Sequence, residues 1–217
     1  ARSTLPVLSN ILVATADSAL KLSATNLEVG ITCTVPAEIQ EAGAITVPAR
    51  LLADIAASLP PTTVSLVLDD DTQTLHLAAD RVDSDVKGID AADFPVLPTV
   101  EQGMRFALSP VGLREILARV TLAAATDESR PILTGVLTHL DPDAGRMLLV
   151  AADGFRLSVY ETDFSAPLPG SVQVIIPARA LVELGRIVAD EDQEVDVAIT
   201  DTLGQILFRT PRVDLVS

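Results

Sequence analysis

The chain has 217 residues, 15 basic against 30 acidic, for a net charge of −15 at pH 7, with 48% hydrophobic and 21% charged residues. That apolar share supplies a packed core and excludes a disordered acidic tail; no apolar run approaches the ~18 residues of a membrane helix, and no basic-then-apolar leader opens the sequence. Cys33 is the single cysteine, which excludes an internal disulfide and a Cys-pair metal site; His76 and His139 stand alone, so no His-based triad, metal or cofactor is expected, and the compartment implied is a reducing one, the cytoplasm.

In chain order, residues 31–35 around Cys33 read as a strand with the thiol as a small buried hydrophobe. Pro48 fits the first position of a helix whose apolar stripe is Leu52, Ile55 and Leu59. Residues 64–68 and 74–78 alternate around Asp69-Asp70-Asp71-Thr72, a hairpin with a charged turn. The proline-punctuated stretch 91–98 marks a boundary between domains at 1–98 and 99–217. A strand at 105–108 then precedes Ser109-Pro110, an N-cap with proline behind it, opening a helix striped by Leu113, Ile116, Leu117 and Val120. Residues 136–140 and 147–150 flank the turn Asp141-Pro142-Asp143-Ala144-Gly145. Pro177 opens a helix striped by Leu181, Leu184 and Val188, and 195–199 with 205–208 form a last hairpin around Asp201-Thr202-Leu203-Gly204.

Three blocks recur in one order. Leu5 to Leu12 reads like Arg130 to Leu137 at an offset of 125, Leu22 to Asn26 like Leu149 to Asp153 at 127, and Val47-Pro48-Ala49-Arg50 like Ile176-Pro177-Ala178-Arg179 at 129. An offset that grows by small steps is what hairpin insertions produce in a duplicated domain. The first copy has only residues 1–4 before its Leu-Pro block, where the second has a strand and a helix, so the first is expected to lack its opening strand and helix.

These blocks, together with Ala92-Asp93-Phe94-Pro95 and Ala152-Asp153-Gly154-Phe155-Arg156-Leu157-Ser158, resemble the bacterial DNA sliding clamp, the β subunit of DNA polymerase III. The resemblance implies an α+β DNA-clamp fold in tandem duplicated domains, helices on the inner face and antiparallel sheets outside, with a third domain absent from this chain. It implies a processivity factor: a head-to-tail homodimer ring that encircles duplex DNA without sequence specificity and tethers the replicative DNA polymerase, the clamp loader and repair polymerases through linear peptides. In such a ring an acidic exterior is compatible with arginines facing DNA. Arg50, Arg114, Arg119, Arg179 and Arg186 lie off the apolar stripes of their helices. The resemblance implies that Arg2 and the loop Thr126-Asp127-Glu128-Ser129-Arg130 match positions that touch DNA at the rim, with Arg130 as the loop's DNA contact, although Asp127 and Glu128 would repel phosphate; Arg130 also reads as a groove residue or a structural one.

The resemblance also implies a peptide groove at Leu133, Ala152, Gly154, Phe155, Arg156 and Leu157. Phe155 stands where the family commonly has histidine and Ala152 where it has threonine, which keeps the pocket apolar and bears on peptide preference. The alternative is a diverged clamp-fold scaffold that binds proteins without encircling DNA, favoured by Asp127 and Glu128. An enzyme is not expected. No phosphate loop, nucleophile elbow or dinucleotide fingerprint is present, and the Asp69 to Asp71 and Asp190 to Asp192 runs lack calcium-loop spacing.

Overall fold

A 3-10 turn at Pro6–Ser9 feeds β1 (Asn10–Ala16), the strand around which the first sheet is ordered. The computed structural model describes residues 5–217. Arg2 therefore lies outside the described residues. The chain divides into two compact units, Ala1–Leu97 and Pro98–Ser217.

In the first unit, β1 is followed by β2 (Ala19–Thr25), β3 (Gly30–Pro36), β4 (Ala44–Pro48), α1 (Ala49–Ser58), β5 (Ser65–Asp69), β6 (Thr74–Ala79), β7 (Val82–Lys87) and β8 (Ile89–Asp90). All pairings are antiparallel, giving one sheet ordered β8-β4-β1-β2-β3 and another ordered β5-β6-β7. Val13, Ile45 and Val47 of the first sheet pack with Leu75, Leu77 and Val86 of the second, and Leu52 and Ile55 of α1 lie against this core.

The second unit runs β9 (Met104–Leu108), α2 (Leu113–Thr121), a 3-10 turn at Pro131–Thr134, β10 (Gly135–Asp141), β11 (Arg146–Ala152), β12 (Leu157–Asp163), β13 (Val172–Pro177), α3 (Ala178–Ile187), β14 (Val195–Ile199), β15 (Ile206–Arg209) and β16 (Val213–Val216). Its sheets are β12-β11-β10-β13 and β16-β15-β14-β9, again antiparallel. The helices α2 and α3 pack on one another, burying Leu113, Leu117 and Val120 of α2 and Ala180, Leu181 and Leu184 of α3. Full burial of each leucine contributes about 1.5–3 kcal/mol relative to exposure.

The sequence repeat holds at the level of register. Asn10 pairs with Pro48 as Gly135 pairs with Pro177, Leu12 with Ser23 as Leu137 with Val150, and Leu22 with Cys33 as Leu149 with Tyr160. A register slip of one residue would turn every apolar side chain to the wrong face, so six shared partners fix the duplication firmly. One pair of sites shows how the copies diverged. Asn10 is buried and donates to Thr46 Oγ1 at 3.1 Å, and Thr46 in turn donates to the Ile89 carbonyl. The corresponding second-copy residues are Gly135 and Ile175, and a Cβ on Gly135 would come within 2.4 Å of Ile175 Cγ2.

Four sequence expectations are corrected. Pro48 and Pro177 are N-caps with extended ψ of 118° and 128°, the last residues of their strands, so α1 and α3 begin at the following alanines. Helix α2 begins at Leu113 instead of Pro110, because Gly112 takes φ +75° and breaks the turn, while the Ser109 hydroxyl accepts from the Val111 N–H outside the helix. Cys33 is half-buried on β3, since the alternation that buries Ser23 opposite Thr32 leaves the next pair partly open. The α1 stripe is also only half-buried at Leu52, Ile55 and Leu59, because no described helix of the first unit covers it as α2 covers α3.

Between the sheets and helices of the second unit lies a cavity of about 30 Å³, lined by Phe106, Leu140, Leu149, Leu181 and Phe208 among others. Thr138 reaches this lining; it is 5% exposed, and its Oγ1 has no hydrogen-bond partner among the described residues. A lone hydroxyl cannot hold a water that needs two or more polar partners, so the group is a desolvated donor in an apolar chamber. Thr138→Val is expected to raise unfolding free energy by about 1–2 kcal/mol in urea titration with the m-value unchanged.

Candidate functional site

Two surfaces gather the chemistry-bearing residues. The first is helical. Because Pro48 and Pro177 end a strand and cap a helix at once, the residue two places on enters the first turn pointing away from the sheet; Arg50 and Arg179 occupy that place and are exposed. Arg114 and Arg119 on α2, and Arg186 on α3, are exposed as well, so all five described helix arginines lie off the buried stripes as expected. The helices carry no lysine and three carboxylates, and each carboxylate pairs with an arginine of its own helix. Arg50 Nε lies 4.0 Å from Asp54, Arg119 donates to Glu115, and Arg186 Nη1 donates to Glu183 at 2.7 Å.

The acidic loop has structural partners. Asp127 accepts from the Ser129 hydroxyl and N–H, which hold its carboxyl below the ordinary range, the hydroxyl more than the N–H. Glu128 Oε1 lies 3.9 Å from Arg179 Nη2. Arg130 turns from this loop toward the second surface.

That surface is built around the turn joining β11 to β12. The Ala152–Leu157 pair closes it, and Gly154 takes φ +93°. Asp153 Oδ1 accepts from the N–H groups of Phe155 and Arg156, and Oδ2 accepts from Arg156 Nε at 2.9 Å. The two backbone bonds, Phe155 first, hold the Asp153 carboxyl below its ordinary 3.8. Arg130 Nη2 donates to the Asp153 carbonyl at 3.2 Å, and its guanidinium packs so closely on Gly154 that a Cβ there would sit 3.1 Å from Nη1. The dihedral favours glycine, and a side chain at this position would also displace the Arg130 guanidinium by a few tenths of an ångström. The turn lifts Phe155 to 96% exposure, with Leu157 at 65%; Ala152, paired with Leu157, is half-buried, and so is Leu133 in the turn before β10.

Sequence reasoning missed the continuation of this apolar strip. Val159 on β12 registers with Val150, Leu137 and Ile175 across the sheet, a row on the face opposite the core whose outer members are more than half exposed. The signal was available in β11, which is apolar at every position after Arg146 instead of alternating, and in the adjacent Val136 and Leu137 of β10. The Arg130–Asp153 and Arg179–Glu128 contacts carried no such signal, because their members lie far apart in sequence. Among the described residues no group of three or more His, Cys, Asp or Glu side chains could hold a metal ion. No described helix is long and apolar enough to cross a membrane.

A doubled module of two antiparallel sheets, with proline-capped helices bearing exposed arginines, is the fold of a DNA sliding clamp. Residues 1–98 match the family described as DNA polymerase III beta subunit, N-terminal domain, and residues 107–217 match its central domain. The beta sliding clamp of Synechocystis sp. is 40% identical over 95% of this chain and 57% of its own length; that of Pseudomonas aeruginosa is 36% identical over 98% and 59%. The crystal structure of the DNA polymerase III subunit beta from Pseudomonas aeruginosa superposes with a TM-score of 0.89 at 32% identity, covering 99% of this chain and 58% of that one. The chain belongs to the DNA polymerase III beta subunit family and spans just under three fifths of the length of these relatives.

The Asp153 carboxyl, with its pKa lowered by folding, contributes to turn stability above its unfolded value, and the contribution is lost as pH falls through the folded one. Amide shifts of Phe155 and Arg156, followed by NMR, should therefore hold steady from pH 7 to pH 5 and move together only below about 4.

Proposed function

We propose that this chain is part of a non-catalytic, cytoplasmic processivity factor that closes head to tail with a second copy around duplex DNA. The observation that carries this reading is the placement of charge. On a chain of net charge −15, the three described α-helices carry five arginines and three carboxylates, and the arginines are exposed. Arg50, Arg114, Arg119, Arg179 and Arg186 face the duplex, making phosphate contacts without base readout, and Arg2 contributes at the rim. Arg130 instead serves the groove, where its guanidinium braces the turn that carries Phe155. Retention is topological, so each contact can be weak. Glu128 lies beside Arg179, which offsets part of its repulsion of phosphate, while Asp127 stays charged under its Ser129 hydrogen bonds and remains the feature that favours a scaffold that never encircles DNA.

Leu133, Ala152, Gly154, Phe155, Arg156 and Leu157 form one wall of a groove for linear peptides of the replicative polymerase, the clamp loader and repair polymerases. Exposed apolar anchors on a braced turn suit this, because a short peptide needs a preformed apolar surface to offset its ordering cost.

Loaded full-length protein should remain on closed circular DNA and run off the same DNA after linearisation, as read by gel filtration; equal loss from both would refute encirclement. Leu157→Asp should weaken binding of a polymerase-derived peptide by more than about tenfold, since the peptide would bury an unpaired charge. Unchanged affinity in calorimetry would remove the groove assignment.

A further inference from the structure

We infer that Asp54, Glu115 and Glu183 are built-in counterions that hold the DNA attachment of the helices below what their arginines could give. The inference rests on the DNA-facing reading above. Every carboxylate of α1, α2 and α3 lies three or four residues from an arginine of the same helix and pairs with it: Asp54 with Arg50, Glu115 with Arg119, Glu183 with Arg186. Glu128 adds a carboxylate from a loop, 3.9 Å from Arg179. Among the described residues Arg114 is the one helix arginine with no carboxylate within 4 Å.

The pairs are exposed. Side-chain accessibilities are 97% and 74% for Arg50 and Asp54, 62% and 67% for Arg119 and Glu115, and 71% and 38% for Arg186 and Glu183. Exposed pairs of this kind add little to fold stability, so the carboxylates are poorly explained as structural braces. Their electrostatic effect reaches further. At about 0.1 M salt the screening length is about 10 Å, and beyond that distance a tight arginine–carboxylate pair presents almost no net charge. A duplex approaching these helices meets the field of about two cations instead of five. When a phosphate engages one of the paired guanidiniums it must displace or crowd a carboxylate that remains tethered one helical turn away. Part of the gain from releasing DNA counterions is cancelled at each contact. The guanidiniums keep their planar fork for phosphate while losing much of their attraction, which suits a surface that must hold DNA loosely and move along it.

The test is the salt dependence of binding to a duplex of about 30 base pairs by fluorescence anisotropy, using full-length protein. The triple variant Asp54→Asn, Glu115→Gln, Glu183→Gln frees three arginines. It should bind at least tenfold tighter at about 50 mM salt, and its log–log salt slope should steepen by about 2 to 3, close to 0.9 per added phosphate contact. A charge-matched control, Asp70→Asn, Asp71→Asn, Asp143→Asn, changes exposed hairpin-turn carboxylates that pair with no arginine and should leave the slope unchanged. Arg50→Gln, Arg119→Gln, Arg186→Gln should weaken binding. Circular dichroism confirms that each variant is folded. If the arginine variant weakens binding but the carboxylate variant leaves affinity and slope unaltered, or if the control tightens binding equally, the counterion role is overturned and the DNA-facing reading stands. If no protein in the set binds DNA at low salt, or the arginine variant binds as tightly as its parent, the DNA-facing reading fails and the inference falls with it.

Discussion

Pro48 and Pro177 each close a strand and cap a helix in a single residue, with no loop between. The proline ring holds φ near −50°, and an extended ψ sets the direction in which the helix leaves the sheet. Strand register is fixed by burial, so the helix inherits its rotation from the sheet. That coupling determines which residues of α1 and α3 face the core and which face outward. It gives Arg50 and Arg179 the same place in both units, although the units bury their helices to different depths. The exposed arginines are in this sense a product of sheet register.

The turn before β12 depends on a comparable coupling. Asp153 satisfies the two N–H groups that the turn leaves open, and Arg130 closes over Gly154 from a distant loop. Neither residue is apolar, yet together they hold Phe155 and Leu157 exposed at the surface. An exposed aromatic on a flexible loop samples many positions, whereas Phe155 is carried by a hydrogen-bonded turn, the property on which the proposed groove depends.

Much of the architecture was legible because it rests on local chemistry. Asp69 to Thr72 and Asp141 to Gly145 are turn sequences, and the hairpins they predict formed with boundaries within a residue or two. The duplication was legible because Pro-Ala-Arg and the Leu-Pro and Arg-Pro blocks each hold several constrained residues at once. Helix starts were less legible. Ser109-Pro110 has the chemistry of an N-cap, but Gly112 can take a left-handed dihedral, and Leu113 finds its buried position only if the helix begins there. The half-exposed stripe of α1 could not be read from periodicity, which reports amphipathicity and is silent on what covers the apolar side. The helix ion pairs follow from i, i+3 and i, i+4 spacing and were in principle visible; Arg130 over Gly154 and Glu128 beside Arg179 were not, since only the tertiary fold brings them together.

Asn10 with Thr46, and Gly135 with Ile175, occupy matching stations in the two halves, one pair polar and linked, the other apolar with no room for a side chain beyond hydrogen. Neither member can cross to the other half alone. Asparagine at the glycine's station would collide with isoleucine, and glycine at the asparagine's would remove the donor to Thr46 Oγ1, whose own bond to the Ile89 carbonyl would remain. One register thus carries two different chemistries, and what fills the gap between paired strands in one copy has no room in the other.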